Sequence, residues 1–147
     1  DRVGRPFVGA SGRLLDEELA LAGLSRESVY ITSPVKCRPT VVRDGKLRNR
    51  APTPQEVRAW QDLLMRQIEV VSPKVILCMG SVAANLLIHP RFRLMEERGR
   101  WFEVVRGIRT MATFHPAYIH RWRRNADALQ HRQFQEDLRA VAAAVDS

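Results

Sequence analysis

A strand and the loop after it are both evident in the segment Ile108-Arg109-Thr110-Met111-Ala112-Thr113-Phe114-His115-Pro116-Ala117-Tyr118. Apolar residues alternate through its first half, which predicts a buried β-strand that ends near Thr113. His115 therefore follows the carboxyl end of a strand, in a loop stiffened by Pro116. Open α/β sheets place their functional groups at this end of their strands, and histidine titrates near neutral pH. We interpret this loop as a candidate active site. The alternative is a structural histidine that satisfies nearby backbone groups.

Three further apolar runs predict the other strands of a sheet. Val75 to Met79 is a continuous apolar run, as expected for a parallel strand that is covered on both faces. Trp101 to Val105 precedes the Ile108 strand, and the turn signal Arg106-Gly107 between them indicates an antiparallel hairpin or a tight connection. Val29 to Ser33 is predicted as a fourth strand that ends at Pro34.

Helix signals separate these strands. A helix capped by Ser11 is expected to run to about Ala22 and to stop at Gly23. Thr53-Pro54-Gln55-Glu56 is a capping box with proline at the first helical position. Gly80-Ser81 opens a short helix, and Asn125 is expected to cap a long final one. This alternation predicts a three-layer α/β/α sandwich around a mainly parallel four-stranded sheet, in a single domain over residues 1–147.

The chain is basic and has few cysteines. Its 147 residues carry a formal net charge of +8 and a pI near 10.7. A polyanion such as nucleic acid is therefore the expected partner, with general solubility as the alternative role of the charge. Four arginines and Lys46 lie between residues 38 and 52, which predicts a mobile basic loop. No apolar stretch approaches the roughly 20 residues of a membrane-spanning helix, and two cysteines make no disulfide framework. We therefore expect a soluble cytoplasmic protein.

Four segments, taken in order, resemble the motifs of one known family. The segments are Val3 to Gly9, Val29 to Pro39, Pro73 to Gly80 and Thr113 to Tyr118. Their order and spacing resemble the uracil-DNA glycosylase superfamily, most closely its family 4, over about Gly4 to Arg121. The resemblance implies the fold of that superfamily and a DNA repair activity of the base excision type. It also implies that the chain lacks an amino-terminal strand and a Gly-Glu-Ala-Pro-Gly loop, so that it is truncated at its amino end.

The resemblance implies a pocket for an extruded base. Phe7, between Gly4 and Gly9 and next to Pro6, is expected to stack on the base. His115 is expected to donate a hydrogen bond to the leaving base. Ser33 stands where family 4 has an asparagine that reads the base edge. A hydroxyl lacks the paired geometry of an amide, so the base preference is expected to be broader than uracil alone or altered. The expected substrate base is uracil or a related deaminated base.

The same resemblance implies contacts with DNA. Tyr118 and Ile119 are candidates for an apolar wedge that fills the gap in the stacked bases. Basic and loop residues around them are expected to contact the DNA, with a solvated basic helix start as the alternative. These residues are Lys36, Arg38, Pro116, Ala117, Arg121 and Arg123.

Family 4 proteins hold an iron-sulfur cluster with four cysteines. Cys37 matches one ligand, Trp60 stands in place of another, and the remaining pair would lie in the missing segment. We expect no cluster in this chain by itself.

Three hypotheses for function follow. The first is a monomeric, monofunctional DNA glycosylase associated with the nucleoid. The second is a DNA-binding module that keeps the fold without turnover, for which Ser33 and Trp60 are the support. The third is a metal hydrolase that uses His115 and His120.

Overall fold

The computed structural model describes residues 9–34, 40–122 and 129–146. They form six α-helices and five β-strands, with a short 3-10 turn at Arg26–Ser28. The helices are α1 Ala10–Leu21, α2 Pro54–Val71, α3 Ser81–Leu87, α4 Leu94–Glu97, α5 Pro116–Trp122 and α6 Leu129–Asp146. The strands are β1 Thr40–Arg43, β2 Lys46–Asn49, β3 Val75–Met79, β4 Phe102–Val105 and β5 Ile108–Thr113.

The main sheet has β5 in its centre. β3 lies parallel to β5, with Val75 opposite Arg109 and Met79 opposite Thr113. β4 lies antiparallel on the other side and joins β5 through the predicted Arg106-Gly107 turn. The α/β class is therefore confirmed. The expected four-stranded, mainly parallel sheet is not what the described residues form, because they give three strands with one parallel and one antiparallel pair.

The segment from Val29 to Ser33 is not a strand of the sheet, so the predicted strand is wrong. Gln67 of α2 holds it in place, because its side chain accepts from the Thr32 hydroxyl and donates to the Tyr30 hydroxyl, both at 3.0 Å. Val29 and Ile31 pack instead against the core formed by α1, α5 and α6. The side chains of this segment thus alternate between the core and Gln67, as those of a strand would. A strand also needs a backbone partner, and no described strand pairs with this segment.

The predicted basic loop is instead an antiparallel hairpin made of β1 and β2. Its turn residues Asp44 and Gly45 both have positive φ, 52° and 70°. This is the conformation of a two-residue I′ turn, for which Asp-Gly is a preferred sequence. The signal was in the sequence, and the low apolar content of the segment obscured it.

The helix predictions hold with small shifts. α2 begins with the expected capping box, in which the Thr53 hydroxyl accepts from the Glu56 N–H and the Glu56 carboxylate accepts from the Thr53 N–H. α1 begins at Ala10 with Gly9 as its cap, not Ser11. Gly23 ends it with φ +87°, as predicted. The predicted cap at Asn125 lies outside the described residues.

Two helical layers cover the sheet. On one face, α1, α5 and α6 bury Leu15, Ile119 and Phe134 against Leu77 and Met79 of β3. On the other face, α2 and α3 pack on the sheet in two further clusters. One cluster contains Cys78 and Ala84, and the other contains Leu64, Ile68 and Val105. Alternate residues of β3 therefore point into opposite layers, which is the pattern of a three-layer sandwich. None of the described helices has the length and apolar character needed to cross a membrane.

Candidate active site

His115 stands between the end of β5 and the start of α5, as the sequence predicts. Its Nδ1 accepts a hydrogen bond of 3.0 Å from the main-chain N–H of Ala117. A ring nitrogen that accepts a hydrogen bond must hold a lone pair, so the proton of a neutral imidazole is on Nε2. The backbone of the first turn of α5 therefore selects the tautomer of this side chain.

The same ring is held in its neutral form by its surroundings. His115 is largely buried, and burial lowers its pKa below the usual value of 6.5 because the charged imidazolium loses hydration. At neutral pH the side chain is therefore an uncharged donor at Nε2. It is suited to stabilise a developing negative charge by hydrogen bonding, and no prior protonation is needed.

Gly80 packs directly against His115 from the neighbouring strand. It follows β3, and a Cβ at this position would lie 3.2 Å from the His115 Cβ and 3.5 Å from its Cδ2. Its φ of +95° and ψ of 171° belong to a region that is essentially restricted to glycine. The sequence reasoning treated Gly80 only as a helix start. A glycine between a parallel strand and a helix was the available signal for this close approach.

A buried polar cluster fixes the end of β5. Asp137 of α6 is 2% exposed and accepts a 2.6 Å hydrogen bond from the Thr113 hydroxyl. It also accepts two from the Arg98 guanidinium, at 2.8 and 2.9 Å, which raise the pKa of that guanidinium above its usual value. Thr113 is two residues before His115, so α6 is tied to the chain that carries the histidine. Sequence reasoning missed this cluster, whose only signal was an acid between the apolar residues Phe134 and Leu138.

His115 and Ser33 line the same cavity, which has a volume of about 590 Å³. The segment Val29 to Pro34 borders it, as does the whole of β3. Its wall is largely apolar, and His115, Ser33 and Gln67 are among its polar residues. Ligand pockets commonly combine an apolar wall with a small number of polar groups, and volumes of about 300–1,000 Å³ are usual.

The residues of α5 divide into buried and exposed sets. Ile119 is 2% exposed and belongs to the core, and Pro116 is also buried. A side chain in the core cannot reach DNA, so the expected wedge role of Ile119 does not fit its position. Tyr118 is 37% exposed and stacks on Phe114, with ring centroids 5.4 Å apart. Ala117 and Arg121 are exposed, as a DNA contact requires.

The residues of this chain do not make a four-thiolate metal site. The whole sequence has two cysteines. Burial raises the pKa of the Cys78 thiol in β3 to about 12, which disfavours the thiolate that a metal needs. Trp60, which stands in place of one of the cluster cysteines of family 4, lies in α2. In the described ranges, no three His, Cys, Asp or Glu side chains converge on a point, and His115 with His120 forms no such group.

Several predicted site residues lie outside the described residues. They are Gly4, Pro6, Phe7, Lys36, Cys37, Arg38 and Arg123. The expected convergence of Phe7 and His115 on one cleft therefore stays a prediction.

Comparison with known proteins gives the family. A family model described as the uracil DNA glycosylase superfamily matches residues 1–140. This chain belongs to the uracil-DNA glycosylase superfamily, and the resemblance predicted from the motifs is confirmed.

Individual relatives carry the name type-4 uracil-DNA glycosylase. The Archaeoglobus fulgidus protein is 43% identical over 126 residues, which cover 81% of this chain and 60% of that protein. The Thermotoga maritima protein is 40% identical over 126 residues, covering 85% of this chain and 62% of that protein. The Pyrobaculum aerophilum protein is 36% identical over 145 residues, which cover 94% of this chain and 68% of that protein. The chain thus spans about three fifths of the length of the first two relatives.

Proposed function

We propose that this protein is a monofunctional DNA glycosylase that extrudes uracil, or a related deaminated base, and removes it by hydrolysis. The observation that carries the proposal is the neutral His115 at the carboxyl end of β5, with its proton on Nε2 and its ring on a cavity that also includes Ser33. The names of the type-4 relatives support the same reaction. A base buried in duplex DNA must leave the stack before an enzyme can reach it, so a cavity is required.

His115 acts in this proposal as the donor to the leaving base. When the bond between the base nitrogen and sugar C1′ breaks, its electron pair moves to the base and negative charge develops on the base oxygens. The Nε2–H of His115 donates to one of these oxygens, and the bond strengthens as charge develops. A water oxygen bonds to C1′ and loses a proton, and the base takes up a proton. The products are a free base and an abasic sugar.

The chemistry proposed is hydrolysis without a covalent amine intermediate. Lys74 is the lysine among the described residues of the cavity wall, and it precedes β3 at the sheet edge opposite His115. A Schiff base needs an amine beside the sugar carbon. We therefore propose no lyase activity.

The remaining roles follow from the predicted residues. Phe7, with Gly4 and Pro6, stacks on the base, and Ser33 reads its edge. Tyr118 is the wedge, in place of the buried Ile119. Lys36, Arg38, Arg121 and Arg123 hold phosphates. We further propose that the protein acts on DNA as a monomer in the cytoplasm, at the nucleoid, and that this chain by itself holds no iron-sulfur cluster.

The alternative is a DNA-binding module of the same fold without turnover. Ser33 favours it, because a hydroxyl cannot pair with a pyrimidine edge in two directions as an amide can.

An excision assay separates the two functions. Full-length protein is incubated with a labelled duplex that holds one uracil, and alkali then cleaves the strand at abasic sites. We expect scission with the parent protein and a loss of about 100- to 1,000-fold in rate with His115→Ala, the usual effect of removing one such donor. His120→Ala, an exposed histidine on α5, is the matched control and should keep the parent rate. Salt-sensitive binding without abasic product would support the module. Activity that a chelator abolishes would support the metal hydrolase.

A further inference from the structure

The two cross-strand pairs next to the turn of the β1–β2 hairpin place cationic and apolar side chains on opposite faces. Arg43 is opposite Lys46 in the register, and Val42 is opposite Leu47. Successive residues of a strand point to opposite faces, so the two cations share one face and the two apolar side chains share the other. Val42 and Leu47 are 67% and 62% exposed. Arg43 and Lys46 are also exposed.

The base of the hairpin is fixed beside the cavity. Ala51 and Pro52, just after β2, line the same cavity as His115. Arg50 holds the Glu56 carboxylate at the start of α2 with two hydrogen bonds, at 2.6 and 3.0 Å. A bidentate pair of this kind fixes orientation as well as distance. The hairpin therefore projects from the rim of the cavity.

The charge and shape of the hairpin fit duplex DNA. Residues 35–52 contain six basic residues and one acidic residue, Asp44, in the turn. Four residues per strand span about 13 Å, so the cationic pair near the turn lies several base pairs from the cavity rim. A two-stranded ribbon is also compact enough to lie along a DNA groove. In a duplex substrate, nucleotides at that distance from the extruded one are still base-paired. The hairpin would therefore meet double-stranded DNA.

We propose that the β1–β2 hairpin lays its Arg43–Lys46 face on the phosphates of the duplex that flanks the extruded nucleotide, and so favours double-stranded over single-stranded DNA. This inference rests on the proposed function for the position of the nucleotide. Binding of undamaged duplex tests it separately, because phosphate contacts are independent of base removal.

The test measures binding of the full-length protein to an undamaged duplex and to one of its strands, by fluorescence anisotropy over a range of salt concentrations. The test variant is Arg43→Gln with Lys46→Gln. The matched control is Arg106→Gln with Arg139→Gln, which removes two exposed cations that do not line the cavity. Val42→Ser with Leu47→Ser tests the other face of the hairpin. Thermal melting checks that each variant is folded.

Loss of two phosphate contacts lowers the salt slope by about two, so between about 50 and 200 mM salt the parent should lose roughly tenfold more duplex affinity than the test variant. The other two variants should follow the parent. The proposal is overturned if the test variant keeps the parent's salt slope, or if the matched control loses as much of that slope as the test variant. It is also overturned if the serine variant loses more of the slope than the test variant, or if the test variant binds single strands as much more weakly as it binds the duplex. An active His115→Ala protein would defeat the proposed function and leave this result standing.

Discussion

The main-chain N–H of Ala117 donates to Nδ1 of His115 at 3.0 Å, so a residue with no functional group of its own sets the tautomer of the candidate catalytic side chain. The same hydrogen bond disfavours a second proton, on Nδ1. Burial also disfavours the charged imidazolium and so lowers the pKa of His115.

The rate of base excision should therefore stay constant as the pH falls through 6.5, the usual pKa of histidine. It should decline only at lower pH, by about tenfold per unit, because a protonated Nδ1 can no longer accept the hydrogen bond from the Ala117 N–H that positions the ring. Stability should change in the same direction. In the window below 6.5 the unfolded chain binds a proton that the folded chain does not, so the free energy of unfolding rises with pH there. Single-turnover rates and urea melts between about pH 4.5 and 8 measure both effects. An acidic limb centred at or above 6.5 would contradict the assignment.

Gly80→Ala should lower both stability and excision rate. The backbone conformation at Gly80 costs another residue about 1–3 kcal/mol, and the added Cβ would press on the His115 ring. Gly23→Ala is the matched control, because Gly23 also has positive φ but has nothing within 4 Å of an added Cβ. It should lose stability and keep kcat. Equal kcat values for both variants and the parent would show that Gly80 does not position His115.

Asp137→Ala should be strongly destabilising, by about 3–5 kcal/mol, because it leaves the Arg98 charge without its buried partner. Glu96→Ala removes the partner of Arg93 in an exposed pair and should cost less than about 1 kcal/mol. Urea denaturation measures both values. Similar losses in the two variants would mean that the buried cluster contributes no more than a surface ion pair.

Cys78 should resist alkylation in the folded protein. Burial raises the pKa of its thiol to about 12, so few thiolates form near pH 8, and the buried side chain excludes the reagent. Iodoacetamide labelling followed by mass spectrometry of the Cys78 peptide should show modification only after denaturation. Rapid native labelling of that peptide would place the thiol at the surface.

Local patterns were sufficient for much of the fold. The capping box at Thr53, the apolar run of β3 and the turn between β4 and β5 all depend on neighbours within a few residues, and each was predicted correctly. The segment Val29 to Ser33 shows the limit of this reasoning. Its alternation is that of a strand, but strand formation depends on a partner that is distant along the chain.

Local periodicity and motif order were enough to predict the α/β class, the family and the position of His115 after a buried strand. The folded structure was needed to show that Ala117 selects the tautomer of His115, that Gly80 packs on its ring and that Asp137 ties α6 to β5. It also decided that Ile119 is a core residue and that the basic segment is a hairpin with two unlike faces. The contacts of Gly80 with His115 and of Asp137 with Thr113 join residues far apart in the chain, which no local pattern specifies. The others follow from the packing of a helix or the register of a strand pair, which form only when the chain has folded.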